Sequence, residues 1–214
     1  MRLYDAFGAT PDELNRARIA VENVLDAADV NVRWRRCRTQ SADPCRDTLA
    51  GNELVIRLMR SPIINYNLSP LALGYSSLQT VQRRGTLATV YPDRVRSLAQ
   101  RAHWNAGDLL GNAIAHEVGH LLLGTSTHAG EGLMRPHWTA SRTRDSVPAD
   151  WYFQPEEGNQ IRHAVSVRTT VPDSPATPPR PAGAVSPVSP VSPVSYDTPT
   201  VSLDHRPPAR SSDN

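Results

Sequence analysis

The sequence predicts a mixed α/β domain over residues 1–168, followed by a Pro-rich tail over 169–214. Three observations carry this. Strand-like alternation and helix-like periodicity take turns along the first part of the chain. A long apolar helical pattern runs from Asn105 to Leu123, and the composition changes abruptly near Val171.

Leu3 to Phe7 reads as a short strand. Thr10-Pro11-Asp12-Glu13 supplies an N-cap, a proline at the first helical position and acids in the first turn. The helix that follows places Leu14, Ala17, Ile19, Val21, Val24, Leu25 and Ala28 on one broad side and ends near Asp29. Val30 to Cys37 alternates as a half-buried strand should, and Glu53 to Met59 does the same. Residues 60–85, with Pro62, Pro70, Gly74 and Gly85, read as loops around short extended pieces. Thr86 to Tyr91 is a further strand, stopped by Pro92-Asp93, with a helix from Arg94 to Arg101. Asn105 caps the long helix, Asp108 lies three residues on, and Gly124 stands where a left-handed residue would end it. A last amphipathic helix spans Pro155 to Val165.

The tail differs in kind. Residues 171–214 hold 11 of the 19 prolines, Tyr196 as sole aromatic, and a Val-Ser-Pro repeat from Val185 to Pro193. Such a segment cannot bury enough apolar area to offset its ordering entropy, so disorder with polyproline II character is expected. A passive tail is the preferred reading; a linker or a partner-binding segment are the alternatives.

At 214 residues the chain can bury one good core, and 39% hydrophobic residues with four tryptophans suit a globular part. All 23 basic residues are arginine, which carries no mechanistic weight. The net charge of +2 comes from mixed signs, which argues against nucleic acid as partner. Arg33, Arg35, Arg36 and Arg38 read as a solvated strand edge. No run of 18 or more apolar residues occurs, so no membrane span is expected. MRLYDAFG lacks a basic n-region and an apolar h-region, so no signal peptide is expected in the chain as given. Cys37 and Cys45 are expected to pair, which would suit an exported protein; two free thiols are the alternative.

The segment that carries chemistry is His116-Glu117-Val118-Gly119-His120. Residues four apart lie one turn apart on the same helical face, roughly 6 Å between Cβ atoms, so both imidazoles can reach one zinc ion. Glu117, offset by one position, can reach a water activated by that ion without becoming a ligand. From composition alone the pentapeptide arises in roughly one such chain in a hundred. The bland alternative is two histidines on a buried helical face with a surface glutamate. After His120, Gly124 lets the chain reverse, and His128 four residues later can bring a third imidazole back to the metal.

HEVGHLLLGTSTH followed by Gly132-Leu133-Met134 resembles the metzincin clan of zinc peptidases, whose signature is HExxHxxGxxH with a downstream methionine turn. This sequence places the glycine one residue and the histidine two residues later than that pattern. Met134, eighteen residues after His116, keeps the spacing of matrixin-like members. The motif resemblance covers about residues 105–138. It implies a small twisted mixed sheet, an active-site helix and a C-terminal helix. It also implies Zn2+ held by His116, His120 and His128, with Glu117 as general base, and Met134 as an apolar floor beneath the metal. Peptide or protein substrates would add as a strand along a sheet edge, for which Thr86 to Tyr91 is the candidate. Tyr152 is an oxyanion candidate, with a packed aromatic as the default.

The expected activity is therefore that of a zinc endopeptidase, monomeric and secreted or extracytoplasmic. Rivals remain open. Glu131, Glu156 and Glu157 compete as third ligand, and Glu157 in the last helix would give a gluzincin-like arrangement. A non-catalytic zinc-stabilised module acting through its Pro-rich tail is the other alternative. His137 reads as a surface or supporting residue.

Overall fold

The computed structural model describes residues 1–38, 45–63, 72–79 and 84–170. The disorder expected for 171–214 lies outside the described residues, as do parts of the 60–85 stretch. Five strands form one sheet: β1 (Arg2–Asp5), β2 (Arg35–Cys37), β3 (Val55–Leu58), β4 (Gly74–Gln79) and β5 (Arg84–Val90), in the order β2-β1-β3-β5-β4. β2, β1, β3 and β5 run parallel, and β4 pairs antiparallel with β5 at the edge. The helices are α1 (Pro11–Asp26), α2 (Pro92–Ala102), α3 (Ala106–Leu123), α4 (Ala140–Arg144) and α5 (Pro155–Thr170), with a 3-10 turn at Pro148–Trp151. The mixed α/β class is as the sequence predicts.

α1 starts on the expected Thr10 cap, which Glu13 completes as a capping box: the Glu13 amide donates to Thr10 Oγ1, and the Thr10 amide donates to Glu13 Oε2. α3 packs against α1, β4 and β5. Its close approach to α1 depends on Gly111, where a Cβ would fall 2.5 Å from both the Ala17 carbonyl oxygen and the Ala20 Cβ. One core joins Leu14, Val21 and Leu25 of α1 to Ile56 and Leu58 of β3, Ala88 and Val90 of β5, and Ile114, Val118 and Leu121 of α3. Each large aliphatic side chain buried there contributes roughly 1.5–3 kcal/mol.

The structure departs from expectation where pairing or packing over long range decides. Val30 to Trp34 is not strand, because β1 offers partners to β2 only from Arg2 to Tyr4. That stretch instead closes α1: Asp29 adopts φ 55° and the Val30 amide donates to the Leu25 carbonyl. Within the 60–85 stretch, read from sequence as loops around short extended pieces, Gly74–Gln79 is an edge strand, and the candidate edge Thr86–Tyr91 is corrected: β5 is interior, flanked by β3 and β4. α2 begins at Pro92 itself, since the first helical position needs no N–H. α5 continues five residues past Val165 to Thr170, where buried Arg168 donates to the carbonyls of Gly85 and Leu121 at 3.0 and 2.8 Å. Cys37 and Cys45 form the expected disulfide.

Candidate metal centre

α3 presents His116 and His120 one turn apart, buried at 9% and 6% exposure, in its last two turns. Asn105 fixes the start of the helix by accepting from the amides of Gly107 and Asp108. Gly124 ends it at φ 65°, a left-handed conformation that a side chain would strain. The reversal brings His128 back, so that His120 Nε2 lies 3.1 Å from His116 Nε2 and 3.3 Å from His128 Nε2.

The approach of His116 to His120 is not a hydrogen bond. His116 Nδ1 donates to the Leu133 carbonyl and His120 Nδ1 to the Thr125 carbonyl, both at 2.8 Å. A carbonyl only accepts, so in these rings the hydrogen sits on Nδ1 and Nε2 keeps its lone pair. Burial, then neighbouring His120, pushes His116 down to about 3; burial, then His128, pushes His120 down to about 4. Burial, then His137, lowers His128. The two helix rings are therefore neutral at ordinary pH, and their lone pairs face one another at a repulsive distance. A cation between them turns that repulsion into attraction. Four-coordinate geometry with bonds of ~2.0–2.1 Å sets neighbouring nitrogens ~3.3 Å apart, close to the spacing seen. His116, His120 and His128 could hold a metal ion: one ligand atom from each lies within 4.8 Å of the others, and no other such group of three occurs among the described residues.

No family model matches the chain. No curated protein matches it. Among solved structures the chain is similar to an archaemetzincin from Methanopyrus kandleri, with 14% identity and a TM-score of 0.47, over 77% of this chain and 94% of that one. That likeness is one of coarse shape. The site stands on its own geometry.

The rival carboxylates are elsewhere. Glu157 Oε2 accepts the Gln154 amide at 2.8 Å at the start of α5, and Glu131 and Glu156 are exposed. Met134 is 1% exposed and packs on α3 at Gly119, where a Cβ would lie 2.5 Å from its Sδ and 2.7 Å from Phe153 Cε1. The turn that delivers it has Gly132 at φ 71°, and the Ala129 amide donates to the Met134 carbonyl at 2.9 Å. His137 is exposed. Tyr152 is not the packed aromatic of the default reading: it is 37% exposed, and its carbonyl accepts the Leu133 amide.

Glu117 is 7% exposed, and Ser76 Oγ donates to its Oε2 at 2.7 Å. Burial pushes the carboxyl up to about 7, with the Ser76 bond opposing. Several supporting groups have no sequence signature. The carbonyls of Leu133 and Thr125 belong to any residue, and Ser76 sits in a stretch without strand-like alternation. Trp138, whose ring stands edge-on to His116 at 5.5 Å, could have been sought beside His137. Arg135, buried against the Trp151 ring at 4.5 Å, ties the Gly132 carbonyl to that of Asp150.

Proposed function

We propose that this chain is a zinc-dependent endopeptidase in which His116, His120 and His128 hold the metal and Glu117 is the general base. The observation that carries the proposal is the triangle of imidazole nitrogens, with the hydrogens of the two helix rings committed to backbone carbonyls. An all-imidazole set suits zinc, and three protein ligands leave a position open. Zinc, when bound there, acidifies a water toward about 7 and polarises a carbonyl oxygen. Glu117 takes a proton from the attacking water and gives it to the amide nitrogen as the C–N bond breaks. Glu117, buried beside His116 on the same helix, is the acid–base group placed to do both. A structural zinc site would have no need of that buried carboxylate, which disfavours the non-catalytic module.

The side of β4 that no other described strand pairs with supports an extended peptide as substrate, since an edge strand offers backbone groups for an added strand. The Cys37–Cys45 disulfide supports an oxidising compartment. No helix among the described residues is long and apolar enough to cross a membrane.

The test is Glu117→Gln, assayed with casein because no side-chain preference is legible. The variant is expected to bind one zinc per chain and to lose roughly two or more orders of magnitude in peptidase rate. Equal activity of wild type and variant, both zinc-loaded, would remove Glu117 as base.

A further inference from the structure

β4 packs against α3, and two of its residues meet Glu117. At Gly74 a Cβ would sit 2.6 Å from the Thr89 carbonyl oxygen and 3.1 Å from both Cγ and Oε1 of Glu117. The bare glycine therefore lets the edge strand close on the carboxylate while leaving Oε1 uncrowded. Two residues on, Ser76 is half-buried. Its Oγ lies 2.7 Å from Glu117 Oε2 and 2.7 Å from the Glu117 backbone carbonyl oxygen.

We propose that Ser76 is a positioning residue that clamps Glu117 Oε2 to the edge strand and leaves Oε1 to exchange the proton during turnover. This rests on the reading of Glu117 as general base. A hydroxyl has one hydrogen and two acceptor sites. Toward the carboxylate the hydrogen goes to Oε2, in a charge-assisted bond roughly twice as strong as a neutral one. A proton arriving on Oε1 leaves that bond in place. A proton migrating to Oε2 turns it into a donor to Ser76 Oγ, and the hydroxyl hydrogen then swings to the Glu117 carbonyl at the same distance of 2.7 Å. In each case Oε2 keeps a partner, so the carboxyl group need not move between accepting and delivering. Ser76 touches no substrate in this role; it acts through Glu117.

The experiment compares Ser76→Thr with Ser76→Val, two β-branched side chains of similar shape that differ by the hydroxyl. In the zinc-loaded protein Ser76→Val is expected to keep one zinc per chain. It should lose roughly 10–100-fold in kcat, the usual scale for groups that orient active-site residues, with KM within about two-fold. Ser76→Thr should restore kcat to within about three-fold. A second readout needs no turnover. In the metal-free protein Ser76→Val should melt about 3–8 °C below Ser76→Thr, because it leaves a buried carboxyl without its partner. That gap should close when Glu117→Ala is added to both. If Ser76→Val does not fold, the smaller Ser76→Ala replaces it with the same expectations.

Equal kcat in the Thr and Val variants overturns the proposal. So does a loss carried by KM, which would assign Ser76 to substrate binding. A melting gap that persists without Glu117 makes the hydroxyl structural only, and also overturns it. An active Glu117→Gln would instead sink the general-base reading, while the melting comparison still reports on the clamp itself.

Discussion

α3 and the loop after it supply the same triangle of nitrogens by different means. On the helix, two histidines are fixed relative to each other by the backbone's own repeat, and both are buried. In the loop, His128 is half-buried, and its place depends on a left-handed glycine and a turn seated on α3 at Gly119. The loop also repays the helix, because the carbonyls that orient His116 and His120 are those of Leu133 and Thr125. A helical pair can thus bring imidazoles together unaided, but their tautomers are set from outside the helix.

The sharpest way to break this comparison is to remove the loop's histidine. His128→Ala is expected to lower zinc affinity by more than about 100-fold, since loss of an outer hydrogen-bond partner already costs about 10–100-fold. Glu157→Ala should leave zinc affinity unchanged, because its carboxylate caps α5. Zinc titration of both variants decides. Metal retained by His128→Ala and lost by Glu157→Ala would take the loop out of the site.

The seam between the two regions is Gly119. Alanine is a better helix former by about 1 kcal/mol, so on the helix alone Gly119→Ala should stabilise. Its Cβ, however, would stand 2.5 Å from Sδ of the buried Met134 and 2.7 Å from Phe153 Cε1. The clash is expected to win, with a net loss of about 1–2 kcal/mol and zinc affinity down about 10-fold or more as the Met134 turn shifts the Leu133 carbonyl. Gly130→Ala, which meets nothing within 4 Å, is the control and should stay within about 0.5 kcal/mol of wild type. Unfolding in urea and zinc titration check both. A Gly119→Ala protein more stable than wild type, with zinc affinity intact, would show that the loop adapts freely and does not hold the helix histidines.

What could be read from the sequence follows the same division. α1 and α3 were legible because caps, periodicity and a terminal glycine are all local, and the i, i+4 histidines ride on that geometry. β4 was not, because Gly74–Gln79 has no apolar alternation and is strand only by virtue of its pairing with β5. With β4 went Ser76, and with it the partner of Glu117. Likewise α5 was placed but cut short, since the residue that extends it, Arg168, is a polar side chain satisfied by carbonyls far away in sequence. The site's residue types announced themselves; the backbone groups that aim them did not.

The smallest expected effect lies away from the site and tests whether the helix pair is as self-sufficient as the comparison holds. Glu13 at the start of α1 forms a two-pronged pair with Arg96 of α2, Nε to Oε1 and Nη2 to Oε2, each at 2.6 Å. The Arg96 guanidinium, opposed by partial burial, holds the Glu13 carboxyl down from 4.5 to about 2. A depressed carboxyl stabilises the fold above its unfolded value, and that contribution fades as pH falls from about 4.5 through about 2. The Arg96 side chain is 39% exposed, so solvent screening reduces the contribution to about 1–2 kcal/mol. Urea unfolding of metal-free wild type and Glu13→Gln should therefore differ by that amount near pH 6 and converge toward pH 2. Zinc affinity at neutral pH should not change, because the spacing of His116 and His120 is internal to α3. A gap that stays constant with pH would mean the pair is fully screened. A zinc affinity that falls with Glu13→Gln would mean that α3 holds its histidines only with the help of the helices around it.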